Sequence, residues 1–366
     1  MKPSRILRFG NRRLVSSSIL RAPPRQVGGG RGRGSLVRRA RKSIRQGSKS
    51  FALASRLFDK ATRERVWLLY AWCRRCDDIA DGQDRGWGAG APSGLKLDDA
   101  TARQRIMAIR ILTERALDGQ PTAELAFDAF GQVSAECRLT KDDAGDVIEG
   151  FALDAGGWRP RTEEDLMRYC FHVGGAVGVM TAKAMGVSPD DHEALDRACD
   201  LGLAFQLVNI ARDVSEDDAR GRCYIPTEWL AEADIPPGVR LRPEYRDKLV
   251  ELVGRLLDMA DEHEAAARFG ANGLPFRQRW AVLSAARIYG AIGRKVRAAG
   301  PHAWDHRVRT GYLEKLGHVI AGFWDALFEA PEPETWPRHT RGGLVTAARM
   351  AGPIAPMPDT PLPDEE

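Results

Sequence analysis

The sequence is short of several things, and each shortage narrows what the chain can do. No Asp or Glu precedes Asp59. No apolar run approaches the roughly 18 residues that a helix needs to cross a bilayer. Aromatic residues make up 7% of the 366, and alternating β-branched runs are scarce, so few or no strands are expected. The histidines form no H-E-x-x-H, because His263-Glu264 is followed by Ala267 where a second His would have to stand. No strand–G-x-G-x-x-G–helix unit for a dinucleotide is found. Of the six cysteines (Cys73, Cys76, Cys137, Cys170, Cys199, Cys223), only Cys73 and Cys76 form a C-x-x-C, and no second pair follows at zinc spacing. All six read as reduced thiols, mostly in the core.

What is present is helix-forming and segregated in charge. Residues 1–50 hold 15 of the 55 Lys and Arg, so the remainder carries 40 basic against 50 acidic groups. A basic leader is joined to an acidic body, which argues against a nucleic-acid enzyme with the usual basic footprint; the leader itself reads as a solvated tail before it reads as a contact for RNA or anionic lipid. The organisation expected is a disordered leader over 1–46, one helical domain over 47–325, and a Pro-rich extended tail over 330–366. The Gly-rich stretch 83–96 reads as a mobile loop. Residues 163–186, 192–217, 244–269 and 275–299 read as long helices. The fold class is all-α, a helical bundle. Localisation is expected to be cytoplasmic, with a peripheral membrane contact left open.

Two acidic stripes stand out. Asp59 is a suitable N-cap for a helix carrying Tyr70, Arg74, Asp77 and Asp81 at i, i+4, i+7 and i+11, one face about 16 Å long. Gln206, Asn209, Asp213 and Asp217 repeat the pattern at i, i+3, i+7 and i+11 among Leu207, Val208, Ile210 and Ala211. Carboxylates among apolar residues must be paired or metal-bound. Two carboxylates four residues apart suit Mg²⁺, which takes one or two from protein and fills the rest with water and phosphate. Arg74 and Arg212, each beside a stripe, suit bidentate contact with phosphate. The plainer reading of either stripe alone is a solvated acidic face; two in phase with amides, Tyr and Arg favour a diphosphate cleft.

At these residues the sequence resembles the squalene and phytoene synthase family, its bacterial phytoene synthase branch most. The motifs are Gly-Ser-Lys-Ser-Phe (47–51), Leu-Tyr-Ala-Trp-Cys-Arg-Arg-Cys-Asp-Asp-Ile-Ala-Asp (69–81), Tyr-Cys-Phe-His-Val-Gly-Gly-Ala-Val-Gly (169–178), Gln-Leu-Val-Asn-Ile-Ala-Arg-Asp (206–213) and Gly-Arg-Cys-Tyr-Ile-Pro (221–226). The resemblance implies an isoprenoid-synthase-type bundle with a central cavity. It implies head-to-head joining of two geranylgeranyl diphosphates to phytoene; the alternative is a dehydrosqualene- or squalene-type synthase using farnesyl diphosphate. Asp77, Asp81, Asp213 and Asp217 would be catalytic, and together with Asn209 would bind Mg²⁺, with Mn²⁺ an admissible substitute and no NADPH. Ser48, Lys49, Ser50, Tyr70, Arg74, Tyr169, Gln206, Arg212, Tyr289 and Arg307 would face substrate. Two positions depart from the family: Gly174, where Ala is frequent, and Pro160, where Tyr is. The first would widen or loosen its helix face, and the second puts its loop in doubt.

Overall fold

The computed structural model describes residues 6–9, 12–16, 26–47, 54–82 and 101–351, the first two segments by backbone alone. Helix dominates, as composition predicts. Two short strands, Ile6–Phe9 (β1) and Arg12–Ser16 (β2), pair antiparallel as a hairpin outside the helical body.

The first helix, Arg33–Gly47 (α1), corrects the expectation of a disordered leader through residue 46. Leu36, Ala40 and Ile44 are fully buried, one apolar face along the helix. The arginines at its start are engaged too. Arg31 lies 2.7 Å from the buried Asp128, and Arg33 lies 2.6 Å from Glu136 and also pairs with Glu64. Arginine-rich composition hides an amphipathic helix whose leading arginines pair with acids of the body.

The helix Lys60–Ala80 (α2) begins where expected: the Asp59 carboxylate accepts from the amides of Ala61 and Thr62 at 2.9 and 3.0 Å. Its inner face packs on α1 and on Leu125–Cys137 (α4), where Trp72 stacks on Phe130 at 4.2 Å. Ala102–Leu117 (α3) and Lys141–Ala155 (α5) complete this half, the latter ending at the Gly156 cap. The stretch 83–96 lies outside the described residues.

The predicted helix over 163–186 runs as Glu163–Cys170 (α6), a π turn Phe171–Gly175, and Ala176–Ala184 (α7). The predicted helix over 192–217 divides. His192–Arg212 (α8) stops at Asp213, whose φ of −97° and ψ of 18° leave the helical range, and a short Val214–Asp218 (α9) follows. Thr227–Glu232 (α10) comes next, and then α8 packs along Arg246–Gly270 (α11) and Phe276–Ala299 (α12). One hydrophobic core runs through these elements.

Two glycines make a very close helix contact. A Cβ on Gly174 would stand 2.4 Å from the Gly202 carbonyl oxygen, so the π turn and α8 touch backbone to backbone. Gly174 therefore draws the helices together, where the sequence suggested a widened or loosened face. Pro160 is buried, and its carbonyl accepts from the Thr227 amide at 3.1 Å and hydroxyl at 3.0 Å, which docks its loop onto α10.

The chain ends differ from expectation as well. Tyr312–Ala326 (α13) lies on α12 and turns Leu313, Leu316, Ile320 and Trp324 to solvent in one row. Arg341–Ala351 (α14) is a helix within the segment expected to be extended. Buried Leu344 and ion pairs from Arg341 to Asp196 (2.5 Å) and Arg349 to Asp146 (2.7 Å) hold it to the body. The six cysteines are free thiols, five of them buried, as the sequence indicates. Among the described residues no helix is long and apolar enough to cross a membrane.

Candidate active site

The first stripe ends at a cavity. Asp77 lies in the last turn of α2 and Asp81 caps it, donating its amide to the Asp77 carbonyl at 3.0 Å. Both carboxylates line a cavity of about 220 Å³ together with Arg105, Phe151, Asp154 and Arg222. Arg74, four residues before Asp78, reaches Asp77 at 3.0 Å and Asp78 at 2.7 Å. Burial raises the Asp77 carboxyl above the ordinary carboxylate range; Arg74 opposes this, while the charges of Asp81, Asp78 and Asp154 add to it.

The second stripe is bent rather than straight. The break at Asp213 lets two guanidinium groups grip one carboxylate. Arg212 Nε lies 2.7 Å from Oδ1, while Arg307 Nε and Nη2 lie 3.0 and 2.9 Å from Oδ1 and Oδ2. Burial pushes Asp213 upward, but these hydrogen bonds outweigh it and hold the group below its usual value. Among the described residues Asp217 has no such partner. Burial and the neighbouring Asp213 charge push its pKa up to about 6, opposed by Arg222 and Arg220.

The stripes meet through the turn that follows α9. The Arg222 amide donates to the Asp217 carbonyl at 2.8 Å, and the Arg222 guanidinium stands 3.6 Å from Asp81. Asp154 faces both sides, since its charge raises Asp77 and Asp217 alike.

The other predicted residues spread around this centre. Asn209 Nδ2 is 3.4 Å from Gln206 Oε1, one turn apart on α8, and Gln206 lies beside Gly174. Tyr289 stacks on Phe205 at 3.9 Å, and the Arg212 charge reaches its hydroxyl. Tyr70 closes against α1, with its hydroxyl where a Cβ on Gly47 would fall. Tyr169 is buried and bonded to Asp154. Ser48, Lys49 and Ser50 lie outside the described residues. His172 and Phe171 are core, with His172 Nδ1 2.8 Å from the Asp146 carbonyl.

With two facing acidic stripes in place, the comparison with known proteins is direct. A model of the squalene/phytoene synthase family matches residues 44–314. The chain belongs to that family. A phytoene synthase from Pseudescherichia vulneris is 44% identical over 286 residues, 78% of this chain and 90% of that one. A 15-cis-phytoene synthase from Pantoea ananas is 43% identical over 293 residues, covering 80% and 93%. Among solved structures, a dehydrosqualene synthase with a bound ligand superposes with a TM-score of 0.68 at 24% identity, covering 79% of this chain and 96% of that one. A squalene synthase from Alicyclobacillus acidocaldarius gives 0.58 at 22%, covering 75% and 98%. The shared fold is the isoprenoid-synthase bundle that the motifs implied.

For a synthase of this family, the donor chemistry around the cavity suits a hard cation. Asp77 and Asp81 offer oxygen ligands one turn apart, and Asp217 is a carboxylate crowded by like charge. Mg²⁺ needs few protein ligands when phosphate and water supply the rest. Among the described residues no three His, Cys, Asp or Glu side chains converge into a ready-made metal nest. The carboxylates present fit a hard divalent cation whose remaining positions water or phosphate would fill.

Sequence reasoning passed over Asp154 and Tyr224. Asp154 stands in Ala-Leu-Asp-Ala-Gly, with no companion at helical spacing to mark it. Tyr224 lies inside the 221–226 motif, but its role depends on the distant Asp154, which it meets at 2.7 Å.

Proposed function

We propose that this chain is a phytoene synthase that joins two geranylgeranyl diphosphates head to head. The observation carrying the proposal is the meeting of the two stripes: the Arg222 backbone is bonded to that of Asp217, and its guanidinium stands 3.6 Å from Asp81 at the cavity. The relatives named above, both phytoene synthases, supply the product.

Mg²⁺ bound by Asp77, Asp81 and Asp217, with Asn209 and Asp213 near, would act as a Lewis acid that neutralises the leaving diphosphate. Arg74, Arg212, Arg222 and Arg307 would bind its oxygens, after exchanging carboxylate partners for phosphate. The C–O bond of one substrate breaks, and diphosphate takes the electron pair. The allylic cation is attacked by a double bond of the second substrate, and loss of a proton closes a cyclopropyl diphosphate. Loss of the second diphosphate, rearrangement and release of another proton give the central double bond. No reductant is consumed. Departed diphosphate is the base, since no histidine lines the cavity.

The cavity takes charged ends, not two twenty-carbon chains, so the tails run beyond it along apolar helix faces. The proposal places the enzyme in the cytoplasm and extends to a peripheral membrane contact. The solvent-facing row Leu313, Leu316, Ile320 and Trp324 supports that contact, since such a face can lie on a bilayer. Retention of the protein in the supernatant with vesicles would refute the contact alone.

The test of the activity is product analysis with Mg²⁺ and no NADPH. Phytoene from geranylgeranyl diphosphate is expected. Turnover of farnesyl diphosphate only would establish the dehydrosqualene- or squalene-type alternative instead.

A further inference from the structure

Asp154 is the carboxylate that both stripes feel and neither contains. It stands in the last turn of α5 and lines the cavity with Asp77 and Asp81. Its Oδ1 accepts from the Tyr224 hydroxyl at 2.7 Å and the Tyr169 hydroxyl at 3.0 Å, and its Oδ2 is 3.2 Å from Tyr169. The tyrosines come from separate elements, α6 and the turn after α9. Their rings stack at 4.6 Å with 17° between planes, and Trp158 lies on Tyr169 at 5.8 Å and 21°. Tyr169 and Tyr224 are 3% and 7% exposed, so each phenol needs an internal partner, and one carboxylate serves both.

We propose, building on the synthase reading above, that Asp154 is a positioning residue for the carbocation. It stands at the cavity wall and holds the two phenols behind it, so that their electron-rich rings and oxygens lie close to the allylic cation after diphosphate leaves. A cation is attracted to an aromatic face, and groups fixed in advance need no rearrangement when the charge appears. A carboxylate this near a cation could also capture it as an ester. Two O–H donors on its oxygens oppose that capture and leave its charge in place.

The experiment compares Asp154→Asn, Asp154→Glu and Tyr224→Phe with the unaltered enzyme. It uses geranylgeranyl diphosphate and Mg²⁺ and measures kcat, KM, thermal midpoint and the ratio of prenyl alcohol to phytoene. Asp154→Asn keeps shape and an acceptor oxygen but loses the charge. Its kcat is expected to fall by about tenfold to a hundredfold, with KM within about threefold and more cation lost to water as alcohol. Asp154→Glu should recover part of the rate. Should Asp154→Asn fail to fold, Tyr224→Phe keeps the ring stack, removes one hydrogen bond and carries the same expectation. A kcat within about twofold of the original and an unchanged alcohol ratio, in whichever variants fold, overturn the proposal; so does a lowered thermal midpoint with kcat retained. An unaltered enzyme that leaves geranylgeranyl diphosphate untouched defeats the synthase reading itself, and this proposal with it. An active enzyme with indifferent variants defeats only the role of Asp154.

Discussion

Arg307 and Asp213, 94 residues apart, form a two-pronged ion pair, with Nε 3.0 Å from Oδ1 and Nη2 2.9 Å from Oδ2. Arg212 holds the same carboxylate, and the α8 helix breaks at that residue. A carboxylate that gathers two guanidinium groups keeps them aimed at one place, ready for a more highly charged anion.

Replacing Arg307 should therefore separate binding from stability. Its side chain is 42% exposed, so the pair stabilises the fold by less than about 1 kcal/mol. Arg307→Ala should leave the urea midpoint nearly unchanged and raise KM for the diphosphate substrate about tenfold, a loss of about 1.4 kcal/mol in binding. An unaltered KM would remove Arg307 from the substrate's reach.

Gly174→Ala should destabilise the protein. The new Cβ would stand 2.4 Å from a backbone carbonyl that cannot swing away. Overpacking of this kind costs about 1–3 kcal/mol. Urea unfolding at neutral pH measures it, and a variant as stable as the original would mean that the π turn and α8 separate freely.

The first helix belongs to the fold, and a core truncation tests this. Leu36 is fully buried, so Leu36→Ala should cost about 2–5 kcal/mol. A loss under about 0.5 kcal/mol would return residues 33–47 to the status of a loose leader.

His172 should make stability depend on pH. Burial lowers its pKa below the ordinary histidine value, opposed by its bond to the Asp146 carbonyl. The unfolded chain then takes up a proton below about pH 6.5 that the folded one resists, so stability falls as pH drops through that range. His172→Asn keeps a donor for the carbonyl and cannot titrate. The gap in denaturation midpoint between the two proteins should be constant above about pH 7.5 and shift in favour of the variant toward pH 5. A gap independent of pH would contradict a neutral buried His172.

The first stripe is legible because a regular helix repeats every 3.6 residues, and Asp77 and Asp81 obey that period to the end of α2. The second is legible only up to Asp213, since no local signal announces that two arginines, one 94 residues away, would meet there. The α1 face was available in the spacing of Leu36, Ala40 and Ile44, but the arginines around it suggest a solvated tail until Asp128, Glu64 and Glu136 are seen to pair with Arg31 and Arg33 at its start. Asp154 has no periodic neighbour, and its meaning comes from Tyr169 and Tyr224, brought to it by tertiary packing.

The most direct measurement is calorimetry of an unreactive thio-analogue of geranylgeranyl diphosphate, with and without Mg²⁺, on the original enzyme and on Asp77→Asn and Asp217→Asn. Tight binding that requires Mg²⁺ and weakens at least tenfold in each variant, with thermal midpoints preserved, is the predicted result. Binding of equal strength without the cation, or undiminished in either variant, would show that the two acidic helices do not jointly hold the diphosphate.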